Sequence, residues 1–296
     1  MAAATAPRGR IETGRDLFEA IQTGLGPEAH RHWGVDPPGT RDRVIAGGSY
    51  RAIGALVDGF RAGDSDVPVT GIVVTARAST LVLQKAIELG ANIVISRSAF
   101  YGDSQDRPVA RPEPALAEKI ELIAAHKLVV LRLQDARTGP AGVGIATALP
   151  TAIGLRTGRK IGNLADGLVY ATPPIAVLAV VRRIKAALPT QTVRLVGDPA
   201  LRVSGIAFAT ETNRPNAITP LIARPDVNLL VCGEVHETET TPYVMDSIAL
   251  GQRKAMLVIG SIAMEEPPAR KLAAWLRTIT GSVTYVPANE GLIDVV

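Results

Sequence analysis

Aromatic residues make up only 4% of this 296-residue chain. That is too few for the exposed stacking platforms that grip single-stranded nucleic acid. Cysteine occurs once, as Cys232, so no intrachain disulfide can form, which fits a reducing compartment. Because it closes an apolar run, Cys232 is expected in the core. Long hydrophobic runs are missing too. The best, IAVLAVV after Pro173 and Pro174, stops at Arg182, far short of the ~20 residues a membrane span needs. The N-terminal MAAATAPRGR has no apolar signal core. A soluble, cytoplasmic protein that does not engage a membrane is the expectation. Net charge is +4 with a sequence pI near 9.4. The basic residues are scattered, as in LRTGRKIG and VRRIKAAL, which reads as solvated helix faces and makes a nucleic-acid partner unlikely.

What is present is aliphatic and regular. Apolar residues are 47% of the chain, enough for a substantial core. TGIVVTA reads as a strand, STLVLQKAIELG as a helix, NIVIS as a strand, PALAEKIELIAAH as a helix and KLVVLRL as a strand. Strands alternating with helices of this length predict parallel βαβ units. The pattern returns in VSGIAFAT, NLLVC, YVMDSIALG, AMLVIGS, PARKLAAWLRTI and SVTYV, and a helix is expected at 175–187. The fold class is therefore α/β: two similar units, each with a central sheet, and a cleft between the halves. Residues 1–13 read as a flexible tail and 14–150 as a first unit. Residues 151–190 read as a connecting segment, and 191–296 as a second unit packing back on the first.

The halves can be superposed strand by strand: VTGIVVTA on VSGIAFAT, NIVIS on NLLVC, KLVVL on AMLVI. An internal duplication follows, and it makes Arg97-Ser98 equivalent to Gly233-Glu234. Asp135 and Glu265 each lie shortly after another equivalent strand pair. Ligands of open α/β sheets sit at strand carboxyl ends, so these loops are candidates for one cleft.

AIELGANIVIS, KLVVLRLQDA, VRLVGDPA, NLLVCGEVHE and VIGSIAMEEPPARKLAAWL, in this order and spacing, resemble the NIF-three-like proteins. These are named for an NGG-one interacting factor and also described as GTP cyclohydrolase I type 2 homologues. The resemblance runs from about Gly14 to Val296. It implies paired α/β domains, a ring-shaped hexamer and a dinuclear metal centre. The family's ligands are a His-His pair after the IVIS strand, an Asp in a loop like HTNLDA, and the His and Glu of a final GHxxxE. In this chain the His-His pair falls on Arg97 and Ser98, and the last histidine on Ser261. The Asp and Glu are kept as Asp135 and Glu265.

Without imidazoles, Zn²⁺ loses its preferred ligands. Asp135 and Glu265, with Glu234, offer oxygen to Mg²⁺, Mn²⁺ or Ca²⁺ at most. Arg97 counts against any metal, because a guanidinium keeps its charge and has no lone pair to give. We expect it to pair with Asp135 or Glu265 in the metal's stead, or to receive a small anionic ligand. His236 is the histidine nearest a family site position and the first place to seek a replacement ligand, although GEVHETET reads more simply as a solvated acidic loop. His30 and His32 read as a surface loop, His126 as a helix end, and Ser98 and Ser261 as small replacements for lost ligands. Two readings stay open. One is a non-catalytic or small-ligand-binding homo-oligomer with a degenerate metal site. The other is a metal-dependent hydrolase, GTP cyclohydrolase type 2-like, on a reduced carboxylate site.

Overall fold

The computed structural model describes residues 11–25, 59–101, 106, 111–133, 145–155, 159–164, 167–209 and 215–288. The chain divides into two compact units, one of residues 1–144 with 268–290 and the other of residues 145–267 with 291–296.

Unit 1 opens with α1 (Gly14–Leu25) and β1 (Gly59–Ala62). It continues through β2 (Ile72–Thr75), α2 (Thr80–Glu88), β3 (Ile93–Ser96), α3 (Pro114–Ala125) and β4 (Val129–Arg132). Ser79 caps α2 by accepting the Val82 amide, and Pro114 begins α3 where a missing N–H costs nothing. The sheet order is β1-β4-β3-β2 followed by a strand from the end of the chain. β2, β3 and β4 are parallel, and β1 lies antiparallel on β4. IVVT, IVIS and VVLR are buried at every position, as strands covered on both faces must be. One face carries Ile72, Val74, Ile93 and Ile95 against α1. The other carries Val73, Val94 and Val130 against α2 and α3.

Unit 2 runs from α4 (Ile145–Ala152) through β5 (Arg159–Leu164), β6 (Gly167–Ala176), α5 (Val177–Ala187) and β7 (Arg194–Val196). It continues with β8 (Arg202–Ala209), α6 (Pro215–Ala223), β9 (Leu229–Cys232), α7 (Thr240–Ala249) and β10 (Ala255–Val258). The order is β5-β6-β8-β9-β10-β7. Leu229 and Val231 face α4 and α5, while Leu230 and Cys232 face α6 and α7. Helix α8 (Ser261–Leu276) starts in this unit and ends in unit 1, where Leu272 and Leu276 join the core beside α1. β11 (Val283–Tyr285) then pairs parallel with β2.

The expected domain limits need correction. Residues 151–190 are no connector, because β5, β6 and α5 are integral to the second sheet. Its β6 pairs antiparallel with β8, and the register breaks between Ala171 and Ile175, where Pro173 and Pro174 have no N–H to give the ladder. Nor does the chain from 191 to its end form one unit, since β11 completes the first sheet and the later part of α8 packs in the core of unit 1. SVTYV is a strand, as expected, in the other half. The expected tail of residues 1–13 lies mostly outside the described residues; Thr13 itself bridges Pro68.

The duplication is visible in the topology. In each sheet a short strand (β1, β7) flanks three parallel strands (β4-β3-β2, β10-β9-β8) and is antiparallel to its neighbour. Among the described residues no helix is long and apolar enough to cross a membrane.

Candidate functional site

In unit 1 the carboxyl end of β3 is tightly wired. The Ser96 Oγ accepts from the Ala78 amide at 3.2 Å and donates to the Ser98 carbonyl at 3.0 Å. Arg97 continues the ladder, its amide donating to Thr75 at 3.2 Å. Its side chain is only 2% exposed and donates through Nη1 to the Leu133 carbonyl at 2.9 Å. Leu133 in turn donates its amide to Ser96 at 2.8 Å. The guanidinium therefore ties the ends of β3 and β4 together from inside the protein. Ser98 is half-buried beside it. Asp135, two residues beyond Leu133, lies outside the described residues, as do His30 and His32.

Next to this lies a polar network that reading the sequence missed. Asp106 is buried, in a left-handed conformation with φ 54°. One carboxylate oxygen accepts from the Phe100 and Tyr101 amides at 2.6 Å each. The other accepts from the Arg61 Nε at 2.9 Å and forms an ion pair with the Arg132 Nη1 at 3.2 Å. The Arg132 contact lacks hydrogen-bond alignment, so charge rather than direction joins that pair. Above Phe100, the Lys119 ammonium stands 4.0 Å from the ring centroid, a cation–π contact. Burial, reinforced by the positive charge of Arg77, pushes the Lys119 pKa down from 10.5 to about 8. One signal was available in the sequence: an arginine at position 132 inside an otherwise aliphatic strand needs a buried counter-charge.

In unit 2, Gly233 follows β9 and abuts the start of α8. A Cβ on it would stand 2.7 Å from the Ser261 Cα and 2.8 Å from its Oγ, so only glycine fits. The Ser261 Oγ is buried and has no hydrogen-bond partner among the described residues. One turn on, Glu265 is 6% exposed and Glu266 fully buried. Glu234 and His236 are exposed in the turn before α7, where the His236 carbonyl accepts from the Glu239 and Thr240 amides at 3.1 Å. Glu237 pairs with Arg194 on β7. Cys232 is in the core, as expected, and burial raises its thiol pKa to about 12.

The positions equivalent to the resembled family's three histidines thus hold a guanidinium and two hydroxyls. Among the described residues, no three His, Cys, Asp or Glu side chains are grouped to hold a metal ion.

Comparison with known proteins decides the family. The sequence model of DUF34/NIF3, NGG1p interacting factor 3, matches residues 49–287. The chain belongs to the DUF34/NIF3 family. Similar solved folds include the Bacillus cereus protein related to NIF3, at 12% identity and a TM-score of 0.69, covering 97% of this chain and 100% of that one. Staphylococcus aureus hypothetical protein SA1388 is 17% identical with a TM-score of 0.65, covering 81% and 92%. Reduced HcgD from Methanocaldococcus jannaschii is 11% identical with a TM-score of 0.63, covering 93% and 97%. At these identities the likeness is one of fold. No curated protein matches the chain.

Proposed function

We propose that this chain is a non-catalytic DUF34/NIF3 protein, a homo-oligomer in which a buried arginine has replaced the dinuclear metal centre. The supporting observation is Arg97, 2% exposed and bonded to the Leu133 carbonyl where a metal-binding histidine would stand. A guanidinium stays protonated at all relevant pH values. Beside it a divalent ion meets like charge in a poorly screened setting, where Coulomb repulsion is strong. Asp135 or Glu265, the two carboxylates kept from the family pattern, would balance the charge of Arg97. Burial favours this structural role over an open anion receptor at Arg97 itself. The family resemblance supports a hexameric ring, which light scattering on the purified protein checks.

Metal content decides between this reading and the hydrolase. Tag-free protein purified without chelator should carry no stoichiometric metal by inductively coupled plasma mass spectrometry. Arg97→His/Ser98→His/Ser261→His, which restores three imidazoles, should gain Zn²⁺ or Mn²⁺. Stoichiometric metal in the wild type, lost in Asp135→Asn/Glu265→Gln, would overturn the proposal in favour of a carboxylate-based metal-dependent hydrolase.

A further inference from the structure

The two units finish the amino ends of their parallel strands with equivalent asparagines whose Oδ1 atoms accept from the neighbouring strand and whose Nδ2 atoms bond differently. In unit 1, the Asn92 Oδ1 accepts from the Thr70 amide at 2.9 Å and its Nδ2 donates to the Pro68 carbonyl at 2.8 Å. In unit 2, the Asn228 Oδ1 accepts from the Ser204 and Gly205 amides at 3.3 and 3.4 Å, and its Nδ2 donates to the Arg253 carbonyl at 3.2 Å. The backbone agrees. Asn92 donates to Gly71 and accepts from Val129, just as Asn228 donates to Gly205 and accepts from Ala255. These bonds pair Thr70 with Ser204 and Val129 with Ala255, two residues off the expected superposition of KLVVL on AMLVI, and set Arg202 against Pro68 and Arg253 against Lys127. In unit 1 the Pro68 carbonyl accepts from the Asn92 Nδ2, whereas in unit 2 the equivalent Arg202 carbonyl accepts from the Arg253 Nη2, so two arginines stand at the strand end of unit 2 where unit 1 has a proline and a lysine.

Around Asn228 the surface of unit 2 forms a cleft of about 350 Å³ lined by Pro174, Arg202, Ser204, Asn228 and Arg253. Each guanidinium is tethered through one nitrogen: the Arg202 Nη2 donates to the Pro174 carbonyl at 2.7 Å, and the Arg253 Nη2 to the Arg202 carbonyl at 3.0 Å. Their Nε and Nη1 donors have no protein partner, and neither arginine pairs with a carboxylate, among the described residues. The neighbouring Asp226 is held by Arg224 at 2.8 and 2.7 Å. Lys254 adds a further positive charge nearby, its Nζ donating to the Arg224 and Val227 carbonyls at 2.6 Å each.

We propose that this cleft binds the phosphate group of a small phosphorylated ligand. Two guanidinium forks match the doubly charged, multiply accepting oxyanion in both charge and geometry. Tethering one nitrogen of each lowers the ordering cost of binding, and the Ser204 hydroxyl, which donates to the Asn228 Oδ1 at 3.4 Å, borders the cleft. The cleft lies at the amino ends of β8, β9 and β10. Gly233 and Ser261 follow the carboxyl ends of β9 and β10, so the cleft does not depend on the reading of Arg97.

The test is isothermal titration of the full chain with pyrophosphate at low ionic strength. Saturable binding is expected, weakened at least about tenfold in Arg202→Gln/Arg253→Gln, as loss of charged hydrogen bonds implies. Ser204→Asp keeps both arginines and places a negative charge on an exposed strand end, so it should weaken binding even if the double variant folds poorly. Arg194→Gln, an exposed arginine on β7, should bind as the wild type does. Absence of saturable binding, binding that survives Ser204→Asp, or equal weakening in Arg194→Gln would each overturn the proposal.

Discussion

The Arg97 Nη1 donates to the Leu133 carbonyl at 2.9 Å, so the ends of two neighbouring strands are joined by a charged side chain that is 2% exposed. Truncating it removes that bond and leaves the Leu133 carbonyl without its charged donor. Arg97→Ala should lose about 1.5–3 kcal/mol of stability, the usual value of a hydrogen bond to a charged group. Arg97→Lys should lose less but not recover the wild-type value, because an ammonium lacks the planar fork. Urea denaturation measures both. A wild-type midpoint for Arg97→Ala would remove the structural basis of the metal-replacement reading.

Asp106 offers a sharper version of the same experiment. Its carboxylate meets two amides and two arginines. Asn tolerates the left-handed conformation nearly as well as Asp, so Asp106→Asn removes the charge while sparing the backbone. We expect a loss of about 3 kcal/mol or more, with Arg61 and Arg132 left facing a neutral amide. A drop below about 1 kcal/mol, the value of an exposed pair, would mean that other groups carry the balance.

These two residues also show where sequence reading succeeds and fails. The parallel strands were legible because burial on both faces leaves continuous aliphatic runs, and the duplication because the same runs recur in order. The limits of the units were not. β11 and the second half of α8 are local patterns whose partner sheet is fixed by tertiary packing, which periodicity does not encode. β6 was hidden by Pro173 and Pro174, ordinarily strand breakers. Arg97 could be singled out because an arginine is unusual at a strand end of this kind. Asp106 could not: nothing in YGDSQDRP separates it from Asp103, and only the folded chain brings Arg61 and Arg132 to it. The Arg202 and Arg253 cleft was equally invisible, since each arginine alone reads as a solvated charge.

Lys119 makes stability depend on pH with a definite sign. Its pKa falls from 10.5 to about 8 because burial penalises the ammonium, with Arg77 adding to the effect. Between those values the unfolded chain holds a proton that the folded chain has released. Stability therefore rises with pH across this window, by an amount on the order of 3 kcal/mol if this group acts alone. Lys119→Met removes the titration and keeps much of the packing against Phe100. The wild type should gain on Lys119→Met as the pH is raised from 8 to 10.5. A constant difference between the two across that range would show that Lys119 titrates normally.

Ser261 and Gly233 give paired substitutions with opposite outcomes. The Ser261 Oγ is buried with no partner among the described residues, so it bears a desolvation cost with no bond in return. Ser261→Ala should be neutral or stabilising by up to about 1 kcal/mol. Gly233→Ala should be destabilising by about 1–3 kcal/mol, the range for overpacking, because its Cβ would stand 2.7 Å from the Ser261 Cα and 2.8 Å from Oγ. Removing Oγ relieves the second clash and leaves the first, which involves backbone. The double variant should therefore recover only part of the loss, and a double-mutant cycle read by urea denaturation measures that part. Full recovery would locate the whole conflict at the hydroxyl. A marked loss in Ser261→Ala alone would mean that the hydroxyl has a bonding partner in solution and is more than a small stand-in for a lost histidine.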